Sequence, residues 1–83
     1  MNYRFLIADD ALATFEKCSR REITLLLDHC RRLGMFPEDY DRKRSVCGFD
    51  YYSKRIGRWS FTYQIDSPVK KILVVAIEKL PTR

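Results

Sequence analysis

The apolar positions of this chain change their period twice. Tyr3 to Ala8 is a short run of aromatic and aliphatic side chains that Asp9-Asp10 ends, as expected of a brief strand. Either aspartate is placed to cap a following helix, because its carboxylate can accept from free backbone N–H groups. Ala11, Leu12, Phe15 and Cys18 then recur at helical spacing and predict a first helix of about nine residues. Ser19-Arg20-Arg21-Glu22 has the form of a capping box, in which the serine oxygen and the glutamate carboxylate each satisfy one orphan donor. It opens a second helix whose apolar stripe is Ile23, Leu26, Leu27, Cys30 and Leu33. Gly34 is placed to stop that helix, since glycine takes the left-handed conformation freely.

Met35 to Ser45 reads as a connector, acidic first (Glu38, Asp39, Asp41) and basic after (Arg42, Lys43, Arg44). Beyond it the period becomes two. Val46 to Arg55 predicts a strand, and Ile56-Gly57-Arg58 turns the chain into the next. There Trp59, Phe61, Tyr63 and Ile65 face one way, and Arg58, Ser60, Thr62 and Gln64 the other. Asp66-Ser67-Pro68 is turn chemistry, and Lys71 to Ile77 is apolar enough to be a central strand. The expected fold is α+β in the order β-α-α-β-β-β, an antiparallel-rich twisted sheet with two helices packed on one face. The other face is left partly open. With no repeat, linker or low-complexity tract in 83 residues, one domain spanning 1–83 is expected.

Composition narrows the class. An apolar fraction of 46% and a charged fraction of 33% are those of a globular chain. No apolar run approaches the roughly 20 residues of a membrane span, so no membrane partner is expected. Met1 to Ile7 reaches Asp9-Asp10 too soon for a signal-peptide core, and a cytoplasmic location is expected. Three cysteines (Cys18, Cys30, Cys47) are odd in number and lack C-x-x-C spacing, which points away from a disulfide framework or a zinc site. His29 and Cys30 are adjacent on a helix and point in different directions, so no metal pairing and no cofactor are expected. Cys18 and Cys30 read as small core residues.

Charge changes the picture most. Residues 1–41 hold 6 Lys/Arg against 8 Asp/Glu, net −2, whereas residues 42–83 hold 10 against 3, net +7. Residues 42–58 alone carry six basic side chains (Arg42, Lys43, Arg44, Lys54, Arg55, Arg58) and one acid, Asp50. Such a cluster serves either as a phosphate cradle or as a solvated hairpin rim. Strict alternation would turn Lys54 inward with Tyr52 and Ile56; a bulge near Tyr51-Tyr52 would bring it into the cradle. Tyr51 and Tyr52 can stack on bases, but strand tyrosines more often fill a core, and the core reading is favoured for both. Glu78, beside Lys79, is read as a surface carboxylate. The Leu25-Leu26-Leu27 run exceeds what one helix face needs and could in part meet a partner helix or a second copy, a homodimer.

The element order resembles the RelE/ParE superfamily of bacterial toxins, and so does the stretch Tyr52-Ser53-Lys54-Arg55-Ile56-Gly57-Arg58-Trp59-Ser60-Phe61-Thr62-Tyr63. It follows that family's Tyr-x-x-Arg-hydrophobic-Gly-x-aromatic-Arg-hydrophobic-x-Tyr pattern at every position but one, Ser60 standing where the pattern has its second Arg. The resemblance implies the toxin of a type II toxin–antitoxin system, held by an acidic or amphipathic antitoxin. In the RelE-like branch it implies a ribosome-dependent endoribonuclease that cuts mRNA without a metal. Basic groups there stabilise the charge that builds on phosphate as a ribose 2′-OH attacks. Carried over by position, the catalytic candidates are Arg55, Lys54 and Lys79, and the phosphate-binding candidates are Arg42, Lys43, Arg44, Arg58 and Ser60. Three family positions that are basic elsewhere hold Ser53, Ser60 and Leu80 here. The alternatives are a ParE-like toxin inhibiting a target such as gyrase, or a non-catalytic binding member.

Overall fold

The computed structural model describes residues 2–81. Strand β1 (Arg4–Ile7) leads into helices α1 (Asp9–Glu16) and α2 (Arg20–Met35). Four strands follow: β2 (Arg42–Val46), β3 (Phe49–Ile56), β4 (Trp59–Asp66) and β5 (Lys71–Lys79). They form one sheet in the order β1-β5-β4-β3-β2, in which β1 runs parallel to β5 and every other neighbour is antiparallel. The α+β class and the two-helix layer are as expected. The connector is not structureless, however: its basic half is β2, which pairs with β3 from Arg42↔Ser53 to Val46↔Phe49. The two-residue loop Cys47-Gly48 makes this possible, since both residues hold positive φ (52° and 83°), as a type I′ hairpin turn requires. At the next hairpin Gly57 alone has positive φ (60°), the type II′ pattern.

Helix α1 lies over β5, and α2 lies over β1 and β5, so the helices do not span the whole sheet. Their buried residues Ala11, Leu26, Cys30 and Leu33 meet Trp59, Phe61 and Tyr63 of β4 and Ile72, Val74 and Ile77 of β5. Cys30 is fully buried, and burial pushes its thiol up to about 12, so it is an apolar core residue in effect. His29 presents an edge to the Phe61 ring at 5.8 Å, and burial lowers its basicity. Leu12 and Leu25 lie outside the core, both substantially exposed. Among the described residues no helix is long and apolar enough to cross a membrane.

Three local expectations need correction. Asp9 and Asp10 do not cap α1; Ala8 is the N-cap residue, without a side-chain hydrogen bond, and the aspartates sit in the first turn near the positive end of the helix dipole. Gly34 does not stop α2 from outside but lies buried in its last turn. Its carbonyl accepts from Tyr3 N at 2.8 Å, and a Cβ there would overlap the Tyr3 carbonyl oxygen. No bulge occurs at Tyr51-Tyr52; the irregularity lies between β4 and β5 at Thr62/Tyr63, where Val75 is the extra residue. The capping box is present in full, with Ser19 Oγ accepting from Glu22 N (3.2 Å) and Glu22 Oε1 from Ser19 N (3.1 Å). These bonds, with Lys79 beside it, lower the pKa of the Glu22 carboxyl.

Candidate nucleic-acid interface

Register assigns each basic side chain to a face. On β4, Trp59, Phe61 and Tyr63 point into the core, so their partners Ile56, Lys54 and Tyr52 on β3 share the helix side. Lys43, opposite Tyr52, and Lys79, opposite Trp59, join them there. The open face carries the alternate residues: Arg42 and Arg44 on β2, Tyr51, Ser53 and Arg55 on β3, Ser60 and Thr62 on β4, Ala76 and Glu78 on β5. Two rows cross this face, Arg55–Ser60–Glu78 and Arg42–Ser53–Thr62–Ala76. Small side chains fill the middle of the sheet, and arginines stand along its β2–β3 side.

The two faces differ in ion pairing. Each of these three strand lysines, Lys43, Lys54 and Lys79, meets a carboxylate. Lys43 Nζ is 3.7 Å from Asp50 and stands over the Tyr52 ring, while Lys79 Nζ is 3.1 Å from Glu22 Oε2 and stands over Trp59. Lys54 Nζ lies 3.6 Å from both Asp39 and Asp41, with its side chain only 23% exposed. Among the described residues, no carboxylate lies within ion-pair distance of the exposed guanidinium groups of Arg42, Arg44 and Arg55. The same holds for Arg58, in the β3–β4 turn.

The connector creates this separation. Residues 36–41 cross the helix side of β3 and β4 where α1 and α2 do not reach. Tyr63 Oη, pushed up in pKa chiefly by burial, donates to Pro37 O at 2.9 Å. Tyr40 packs on Tyr52 with ring centres 4.7 Å apart. Asp41 then ties the strand edge: its N–H donates to Ser53 O (2.7 Å) and its Oδ2 accepts from Arg55 N (2.8 Å). Its other oxygen is the one near Lys54. The carboxylate thus replaces a strand carbonyl and holds Arg55 in the sheet with its side chain outward. Its charge stays on the side where Lys54 answers it.

Of the residues picked out from sequence, the structure brings Arg42, Arg44, Arg55 and Ser60 together on the open face, with Arg58 at its end. It does not bring Lys43, Lys54 or Lys79 to that face, because strand alternation and the acids beneath hold them on the other. Arg42, Lys43, Arg44, Tyr51, Ser53 and Thr62 line a hollow of about 350 Å³. Tyr51 therefore borders the arginines and not the core, contrary to expectation; Tyr52, stacked between Tyr40 and Tyr63, is the packed one. Counting back in twos from Ile56 would have separated them. A larger hollow, about 670 Å³, runs from Leu6 of β1 past Leu73 and Val69 to Phe49 of β3, and Lys71 is the one cation among its lining residues. Among the described residues no group of three or more His, Cys, Asp or Glu side chains could hold a metal.

Against known proteins, the sequence matches no protein-family model and no curated protein. Solved structures do match over nearly the whole chain. The RelBE2 toxin–antitoxin complex of Mycobacterium tuberculosis aligns with a TM-score of 0.82 at 15% identity, covering 95% of this chain and 99% of that one. The archaeal RelE–RelB complex of Pyrococcus horikoshii gives 0.73 at 20% identity over the full length of both chains. The isolated RelE toxin of E. coli gives 0.71 at 14% identity, covering 98% and 87%. The fold is therefore that of the RelE toxins. Two of these three structures are complexes of such a toxin with its antitoxin.

Proposed function

We propose that this chain is the toxin of a type II toxin–antitoxin system and that it acts on ribosome-bound mRNA as a RelE-like endoribonuclease. The observation that carries the reading is the open sheet face of a RelE fold, where Arg42, Arg44 and Arg55 stand with no carboxylate within ion-pair distance among the described residues. An RNA backbone supplies the missing anions. Arg55, directly opposite the small Ser60 in the same row, has the space to reach a phosphate above the sheet. In the reaction, the 2′-OH gives its proton to water as it attacks the adjacent phosphorus, negative charge grows on the non-bridging oxygens, and the bond to the 5′ oxygen breaks; that oxygen takes a proton from water and leaves a 2′,3′-cyclic phosphate behind. A fixed guanidinium stabilises that charge more than it stabilises the ground state. An acidic or amphipathic antitoxin would cover the same cations, as RelB partners RelE in the similar complexes. The exposed apolar side chains Leu6, Phe49 and Val69 also favour a protein partner.

A specific observation favours a second reading. Ser53 and Ser60 flank Arg55, and Lys54 and Lys79 are on the other face, so among the described residues Arg55 is the one cation in the Arg55–Ser60–Glu78 row. A ParE-like toxin that inhibits a target such as gyrase needs no more than that. Programmed ribosomes incubated with the purified protein, followed by mapping of mRNA ends, separate the two. Codon-phased mRNA cuts are expected; cleaved DNA without cut mRNA after induction would establish the second reading instead.

A further inference from the structure

The 350 Å³ hollow between β2, β3 and β4 holds an aromatic ring and two hydroxyls as well as charge. Of the three tyrosines on β3 and β4, Tyr52 and Tyr63 pack against other rings, while Tyr51 has no ring partner among the described residues. Arg44 is its cross-strand neighbour, and Arg42 is the neighbour of Ser53 two residues on. Ser53 in turn faces Thr62 across the next ladder, and neither hydroxyl has a hydrogen-bond partner among the described residues. A half-buried aromatic face, two unpaired guanidiniums and two free hydroxyls thus border one concavity.

We propose that this hollow binds one unpaired nucleotide of single-stranded RNA, with its base stacked on Tyr51. Arg42 and Arg44 hold the flanking phosphates, and the Ser53 and Thr62 hydroxyls meet the ribose. The proposal rests on the RNA reading above and names the form of RNA that this face takes. An aromatic platform accepts any base, because every base has a π-face, but only a base free of its own pairing partners can reach it. Phosphate alone would leave the ring and hydroxyls unused. Hydroxyl partners for the 2′-OH favour RNA over DNA.

The test is fluorescence anisotropy with the full chain and a labelled single-stranded oligoribonucleotide, set against the same sequence as DNA, as duplex RNA, and inorganic phosphate as competitor. The single-stranded RNA is expected to bind tightest. Tyr51→Ala should weaken it about tenfold or more, while Tyr51→Phe, which keeps the ring, should bind like the unmodified chain. Arg44→Ala should reduce the slope of log affinity against log salt by about 0.7. If Tyr51→Ala fails to fold, Tyr51→Leu keeps apolar volume without the ring face and should lose affinity likewise. Unchanged binding in the folded Ala or Leu variant, or equal affinity for duplex RNA, overturns the site. Ring-dependent RNA binding without mRNA cleavage on ribosomes would remove the nuclease reading and leave this site standing. Cleavage with Tyr51→Ala fully active and fully bound would do the reverse.

Discussion

Lys54 and Arg55 are adjacent in sequence and opposite in consequence. Replacing each by alanine isolates the sorting of charge between the two faces. Arg55 is exposed on the open face with no carboxylate at ion-pair distance among the described residues, so a phosphate bound there releases counterions. For a single strand each such contact contributes about 0.7 to the salt slope, which near 0.1 M salt corresponds to about 1 kcal/mol, or roughly fivefold in affinity. Arg55→Ala should therefore lower RNA affinity about fivefold at that salt and flatten the slope by about 0.7, with little change in thermal midpoint. Lys54 is 3.6 Å from both Asp39 and Asp41 on the helix side. Lys54→Ala should leave the slope unchanged and cost stability instead. Because both acids are largely exposed, that loss is held to about 1 kcal/mol or less. For a domain of this size it is a fall of about 6 °C or less in the melting midpoint. Anisotropy titrations from about 50 to about 300 mM KCl, over which the Debye length falls from roughly 14 to roughly 6 Å, and a circular-dichroism melt read both quantities. An equal loss of slope in both variants, or an unchanged slope in Arg55→Ala, would refute the assignment of faces.

Gly34→Ala sets helix propensity against packing. Alanine gains about 1 kcal/mol within a helix, but its Cβ would overlap the Tyr3 carbonyl oxygen, a backbone atom fixed by the Tyr3 N to Gly34 O bond. Overpacking of this kind costs about 1–3 kcal/mol, so urea denaturation should show net destabilisation; a more stable variant would show that β1 shifts away freely. Alkaline pH should also destabilise the fold. The buried Cys30 thiol is raised from 9.0 to about 12, so above pH 9 the unfolded chain releases a proton that the folded chain keeps. Stability is then lost as pH rises through this window, by about 1.4 kcal/mol per pH unit from this group. Tyr63 acts in the same direction above pH 10. A flat urea midpoint from pH 9 to 11 would contradict the burial of the thiol.

The local parts of this molecule are written in its sequence. The Ser19–Glu22 capping box, the stripe through Leu26, Cys30 and Leu33, and the alternation from Trp59 to Tyr63 each rest on contacts within a few residues or on one periodicity. The basic bias of the C-terminal half was equally legible. Strand β2 was not, because all five of its residues are exposed and no apolar alternation marks them. It is a strand only because β3 supplies hydrogen-bond partners, and its charges suit an unpaired edge. The role of Gly34 was hidden for a related reason, since the atom it makes room for belongs to residue 3, more than thirty positions away.

The candidate site shows the same division. Sequence alone placed Arg42, Lys43, Arg44, Lys54, Arg55 and Arg58 in one basic cluster. Tertiary structure divided that cluster, because alternation sends neighbours to opposite faces and the acids of residues 39 and 41 cross beneath only one of them. Chain order records how many charges there are. Which of them meets a counter-charge depends on pairing between distant segments, and that decided which cations remain free to hold a ligand.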